Sequence, residues 1–176
     1  MTEASQLGPD AEALRIAFDR LGDGHLNEAW LDRFAQELHG LVEMCRKLDE
    51  LDLEPMGYLV GWATAGVHPA YMGIGPVPSV SKLMTKINMS LEDMDVIELN
   101  EAFAAQAISV NRDMGWDTDK VNVNGGAIAM GHPLGATGGM ILGTMVDELE
   151  RSGKETALVT LCVGAGMGTA TIIERV

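Results

Sequence analysis

The residues able to do chemistry gather in three short polar segments: ELNEAFAAQ (Glu98 to Gln106), NVNGGAIAMGHPLGATGG (Asn122 to Gly139) and LCVGAGMG (Leu161 to Gly168). The first holds Asn100, an amide placed where an apolar strand gives way to a helix. Taken alone, Asn100 reads as a helix cap. The second pins one imidazole, His132, between Gly131 and Pro133. Glycines around it let the backbone approach a ligand closely and take dihedrals closed to other residues, and Pro133 fixes the chain beyond it. The third places Cys162 at the end of an apolar run, facing a glycine turn. A thiol there can meet a substrate, whereas a thiol in mid-strand would belong to the core. Each segment alone is a weak signal; the three together, at equivalent strand ends, are a strong one.

An amide, an imidazole and a thiol so far apart in sequence need a scaffold that converges on them. From Tyr58, YLVGWATAG reads as a strand, SVSKLMTKI from Ser79 as a helix and DVIEL from Asp95 as a strand. EAFAAQAISVNRDM from Glu101 reads as a helix and VNVN from Val121 as a further strand. A glycine loop, a helix over Ala136–Ser152 and two strands around a glycine turn at Gly164–Gly168 complete the order βαβαβαββ. That order predicts an α/β fold with a five-stranded mixed sheet, mostly parallel and covered by helices. In such sheets ligands gather where strands end and helices begin.

The region before Pro55 differs. Residues 1–54 hold only four of the 21 glycines and carry a net charge of −8, against −6 for residues 55–176. They read as two helices joined by GDGH, the second with the apolar stripe Trp30, Phe34, Leu38, Leu41, Cys45 and Leu48. Cys45 in that stripe reads as a small buried hydrophobe. His25 and His39 have no partners at ligand spacing, and no metal site is expected. Residues 1–54 are thus expected to form a helical segment separate from a domain at 55–176.

A net charge of −14 over 176 residues disfavours nucleic acid and anionic membrane surfaces as partners. No run of 18 apolar residues predicts a membrane span, and the N-terminus lacks the pattern of a signal peptide. Two cysteines in unlike contexts make no disulfide framework, so a reducing, cytoplasmic setting is expected.

The segments ATAGVHPAYMGIGPVPS, IELNEAFAAQA, VNVNGGAIAMGHPLGATG and LCVGAGMGTATIIERV resemble the C-terminal domain of the thiolase family, the acetyl-CoA acetyltransferases and 3-ketoacyl-CoA thiolases, over residues 55–176. The resemblance implies roles for matching positions. Asn100 corresponds to an asparagine holding a water in one oxyanion hole, and His132 to the histidine that activates the nucleophile and donates to that hole. Cys162 corresponds to the acid/base cysteine that moves the substrate α-proton, and the Gly164 N–H to a donor of the second hole. Met72, Gly73, Ile74 and Gly75, with Phe103 and Gly131, correspond to residues bordering the substrate. The implied substrates are coenzyme A thioesters of fatty acid metabolism, with no permanently bound cofactor.

The same resemblance implies what this sequence does not match. The family's covalent nucleophile is a cysteine in a glycine-flanked motif of a twin N-terminal domain, and Cys45, in LVEMCRKLD, lacks that setting. The loop domain that makes most coenzyme A contacts is also unmatched, and residues 1–54 resemble no family. Three readings follow. The chain is an acyltransferase component working with a nucleophile-bearing chain, a catalytically silent binding or assembly domain, or a truncated or engineered thiolase fragment. A homo- or hetero-oligomer is expected, because this domain would otherwise expose the face meant for its twin. The strand ends are expected to bring Asn100, His132 and Cys162 to one cleft.

Overall fold

The computed structural model describes Lys47, Glu50 and residues 51–176. The two expected N-terminal helices, their apolar stripe and Cys45 lie outside the described residues. The compact unit described below runs from Pro55 to Val176.

Its elements are β1 (Gly57–Gly66), α1 (Pro76–Ile87), β2 (Val96–Leu99), α2 (Ala104–Met114), α3 (Ala127–Met130), α4 (Thr137–Ser152), β3 (Thr156–Val163) and β4 (Met167–Arg175). A 3-10 segment, Pro69–Ile74, precedes α1. The strands form one four-stranded sheet in the order β1-β4-β3-β2. β1 and β3 both pair antiparallel with β4, and β2 pairs parallel with β3. The sheet is therefore mixed, as expected, but not mostly parallel: the C-terminal hairpin inserts β4 between β3 and β1.

The expected fifth strand at Val121 is absent among the described residues. Val121 makes a single parallel bridge to Ile97. Asn122 then turns to a left-handed backbone, φ 50°, and its side chain continues the pairing. Its Oδ1 accepts from the Leu99 N–H at 2.8 Å and its Nδ2 donates to the Leu99 carbonyl at 2.9 Å. A side-chain amide supplies the next rung of the ladder, so the backbone is released into the glycine loop.

Alternation along the strands builds a core on each face. Ala63, Ile97, Leu99, Leu158, Ala170 and Ile172 face one way, packed with Val80 and Leu83 of α1 and Val110 of α2. Val96, Val159 and Ile173 face the other, packed with Ile141, Met145 and Leu149 of α4. Gly61 lies at the bulge of β1, where a Cβ would meet Ile87 Cγ2 at 3.0 Å, so the missing side chain lets α1 close on the sheet. Lys82 and Lys86 of α1 reach over the free edge of β1 and donate to the carbonyls of Thr64 and Trp62 at 3.1 and 3.4 Å. They occupy acceptors that would otherwise invite another strand.

Candidate active site

β2 and β3 are parallel, so their C-terminal ends share one edge of the sheet. Leu99 is level with Thr160, and the Asn100 N–H extends the ladder to the Thr160 carbonyl at 2.9 Å. Asn100 is therefore no helix cap. α2 begins only at Ala104, with Phe103 at its N-cap position. Asn100 is fully buried.

His132 reaches this amide from the loop between α3 and α4. Gly131 has φ 101°, which turns the chain sharply out of α3 and presents His132, half-buried, toward Asn100. Asn100 Nδ2 lies 3.4 Å from His132 Nε2, and His132 Nδ1 lies 2.7 Å from Thr137 Oγ1. The Thr137 hydroxyl donates to the Pro133 carbonyl at 2.9 Å, so its oxygen is left to accept from the imidazole. That places the His132 proton on Nδ1 and leaves Nε2 as the acceptor facing Asn100. Thr137, which fixes this tautomer, was missed by sequence reasoning. Its spacing in HPLGAT, at the first turn of α4, was the available signal.

Cys162 is the penultimate residue of β3, paired with Gly168, and is buried. Burial pushes its thiol above the ordinary range. Strand alternation turns Cys162, like Leu158, toward the face covered by α1 and α2. The loop carrying His132 leads into α4 on the other face. The structure thus brings Asn100 and His132 into contact and sets Cys162 at the same sheet edge, one strand away but turned by alternation to the other face, so the expected single cleft for all three is not what strand alternation gives. No hydrogen bond joins Cys162 to either residue among the described residues. Beyond β3, Gly164 opens the exposed turn to β4, and its N–H donates to no acceptor among the described residues.

Of the expected bordering residues, Gly75 is a packing position. It and Gly168 approach so closely that a Cβ on either would collide with the other segment's backbone. Met72 and Gly73 are half-buried, Ile74 and Phe103 exposed. Gln106 packs beside Gly73, where a Cβ would meet its Cγ at 2.9 Å. Two further buried polar groups escaped the sequence reading: Glu98 and Gln106 both lack hydrogen-bond partners among the described residues. Glu98, an acid inside the apolar VIEL strand, carried a visible signal.

The family profile described as thiolase, C-terminal domain, matches residues 53–175. The acetyl-CoA acetyltransferase of Allochromatium vinosum is 54% identical over 129 residues, 73% of this chain and 33% of that protein. The acetyl-CoA acetyltransferase of Thiocystis violacea is 51% identical over 175 residues, 99% of this chain and 43% of that protein. That alignment takes in nearly all of residues 1–54, against the expectation that they resemble no family. Human mitochondrial 3-ketoacyl-CoA thiolase superposes with a TM-score of 0.72 and 44% identity, over 74% of this chain and 33% of that one. The chain spans about a third of the length of most of these relatives.

Proposed function

This chain belongs to the thiolase family, and on that premise we propose that residues 55–176 form the half of an acyl-transfer site that stabilises oxyanions and moves a proton. The observation that carries this reading is the contact between Asn100 and His132, with the imidazole fixed as one tautomer by Thr137. Donors held in place before reaction are worth more than mobile ones, because no reorganisation is needed as charge develops.

In the direction of thiolysis, a thiolate from a nucleophile-bearing partner attacks the keto carbon of a 3-ketoacyl-CoA. His132 Nε2, the acceptor, first takes the proton of that partner's thiol, and the resulting Nε2–H, with Asn100 through a bound water, then donates to one developing oxyanion. The carbon–carbon bond breaks, and Cys162 returns a proton to the departing carbon. A thiol whose pKa is raised by burial suits this step, because it stays protonated at neutral pH where a nucleophile would need to be ionised. The Gly164 N–H serves the second oxyanion. Met72, Ile74, Phe103 and Gly131 border the acyl-CoA, which is substrate rather than resident cofactor. A reducing cytosol suits a site whose acid is a free thiol.

The partner is either a second copy of this chain or a different one. Part of the sheet supports the need for it, because Tyr58, Leu59 and Trp62 of β1 are each more than half exposed.

Acetoacetyl-CoA cleavage by the purified full chain, alone and with a nucleophile-bearing half, tests the reading. The chain alone is expected to show no turnover. With the partner half, His132→Ala or Cys162→Ser is expected to lower the rate about 10²- to 10³-fold. Robust cleavage by the chain alone, abolished by Cys45→Ala, overturns it.

A further inference from the structure

Glu98 has no part in the chemistry above, yet its position is unusual. It sits in β2, two residues before Asn100, fully buried, and neither carboxyl oxygen has a hydrogen-bond partner among the described residues. The Asn100 side chain is equally buried, and its Oδ1 is also unpartnered. Alternation puts both side chains on the same face of the strand, their Cβ atoms about 7 Å apart. Two buried acceptors side by side, each unsatisfied, would be costly. One proton removes the conflict: a protonated carboxyl is a donor, and the amide oxygen is an acceptor.

We propose that Glu98 is a positioning residue whose protonated carboxyl donates to Asn100 Oδ1, directly or through one trapped water, and so holds the amide with its NH2 toward His132. The hydrogen-bond chain then runs from Glu98 through Asn100 to His132 Nε2, and from His132 Nδ1 through Thr137 to the Pro133 carbonyl. Burial first, and the neighbouring Glu101 second, push the Glu98 carboxyl up to about 7, in keeping with a retained proton. Glu101 itself accepts from the Ile128 N–H at 3.0 Å. On α4, which covers this face, Glu148 is engaged by Asn124 and Arg151. Neither acid is free to serve in its place.

The proposal deepens the acyl-transfer reading of the same site and rests on it for its consequence. Its test reads the imidazole and the carboxyl directly, so either can fail without the other. If the amide turned its oxygen toward Nε2, the imidazole proton would have to move there. Thr137 favours the proton on Nδ1 whichever way the amide points, so the fraction of His132 carrying its proton on Nε2 reports how often the Asn100 oxygen faces the imidazole. Imidazole ¹⁵N NMR of the full chain, with the His132 signal identified by His132→Gln, is expected to show the proton on Nδ1. Glu98→Gln, whose amide still donates, is expected to keep the parent's distribution, and Glu98→Leu to raise the Nε2–H fraction. A Leu variant indistinguishable from the parent, or a Gln variant in which that fraction rises, overturns the proposal. Infrared difference spectra between parent and Glu98→Gln at pH 6 make an independent test that needs no Leu variant. Loss of a protonated-carboxyl band is expected, and loss of a carboxylate band instead overturns the proposal.

Discussion

At the scale of single residues, burial sets the charge state of the groups at the sheet edge. Glu98 has a folded pKa of about 7 against an ordinary value of 4.5. Below the ordinary value the carboxyl is protonated whether the chain is folded or not, and no penalty arises. Between the two values the folded state binds more protons, so stability falls as pH rises, and above about 7 the full penalty is present. The difference amounts to about 3 kcal/mol. Thermal melts of parent and Glu98→Gln are therefore expected to diverge in favour of the variant from pH 4.5 to 7 and to run parallel above. A constant gap across this range would contradict the assignment. Cys162 moves in the same direction for the same reason. Alkylation of the Cys162 peptide by iodoacetamide, followed by mass spectrometry, is expected to be slower at pH 8 than that of an unfolded control. Equal rates would show that the thiol is neither shielded nor shifted.

At the scale of elements, the site depends on how β2 ends. Asn122 closes the open side of that strand with two side-chain hydrogen bonds and then turns the chain away in a left-handed conformation. Asn122→Ala removes both bonds, strands the Leu99 N–H and carbonyl, and keeps the unfavourable φ. A loss of about 2–4 kcal/mol is expected, read by denaturant titration. A loss below 0.5 kcal/mol would mean that water or backbone takes over the rung. Most elements were legible from period and turn residues: the helix ending at Ser152, the C-terminal hairpin and the edge strand from Tyr58 all lie where the pattern puts them. VNVN misled because its alternation is that of a strand, while the continuing bonds come from a side chain. The late start of α2, at Ala104 rather than Glu101, has a related cause: the Asn100 backbone is still engaged with β3.

At the scale of the whole molecule, an excess of 14 negative charges over 176 residues works against compaction through mutual repulsion. Surface charges are screened over about 10 Å at 0.1 M salt and about 3 Å at 1 M. The melting temperature is therefore expected to rise as sodium chloride increases from low concentration. A fall would indicate that ion pairs outweigh the repulsion, in contrast to the one Arg151–Glu148 pair among the described residues. The exposed side chains of β1, Tyr58, Leu59 and Trp62, belong to the same scale; Trp62 carries the Lys86 ammonium of α1 over its ring, 5.0 Å from the centroid.

The sequence by itself determined the family, the mixed α/β class and the three segments that hold Asn100, His132 and Cys162. These rest on local signals: periodicity, turn residues and short glycine-framed motifs. Only the tertiary structure decided which groups touch. Parallel pairing of β2 with β3 brings Asn100 level with the end of the strand bearing Cys162, and the turn at Gly131 carries His132 across 32 positions to the amide. Thr137 gained its role, and Glu98 its unpartnered carboxyl, in the same way. Hydrogen bonding and desolvation depend on what surrounds an atom in space, and a linear pattern records only what precedes and follows it.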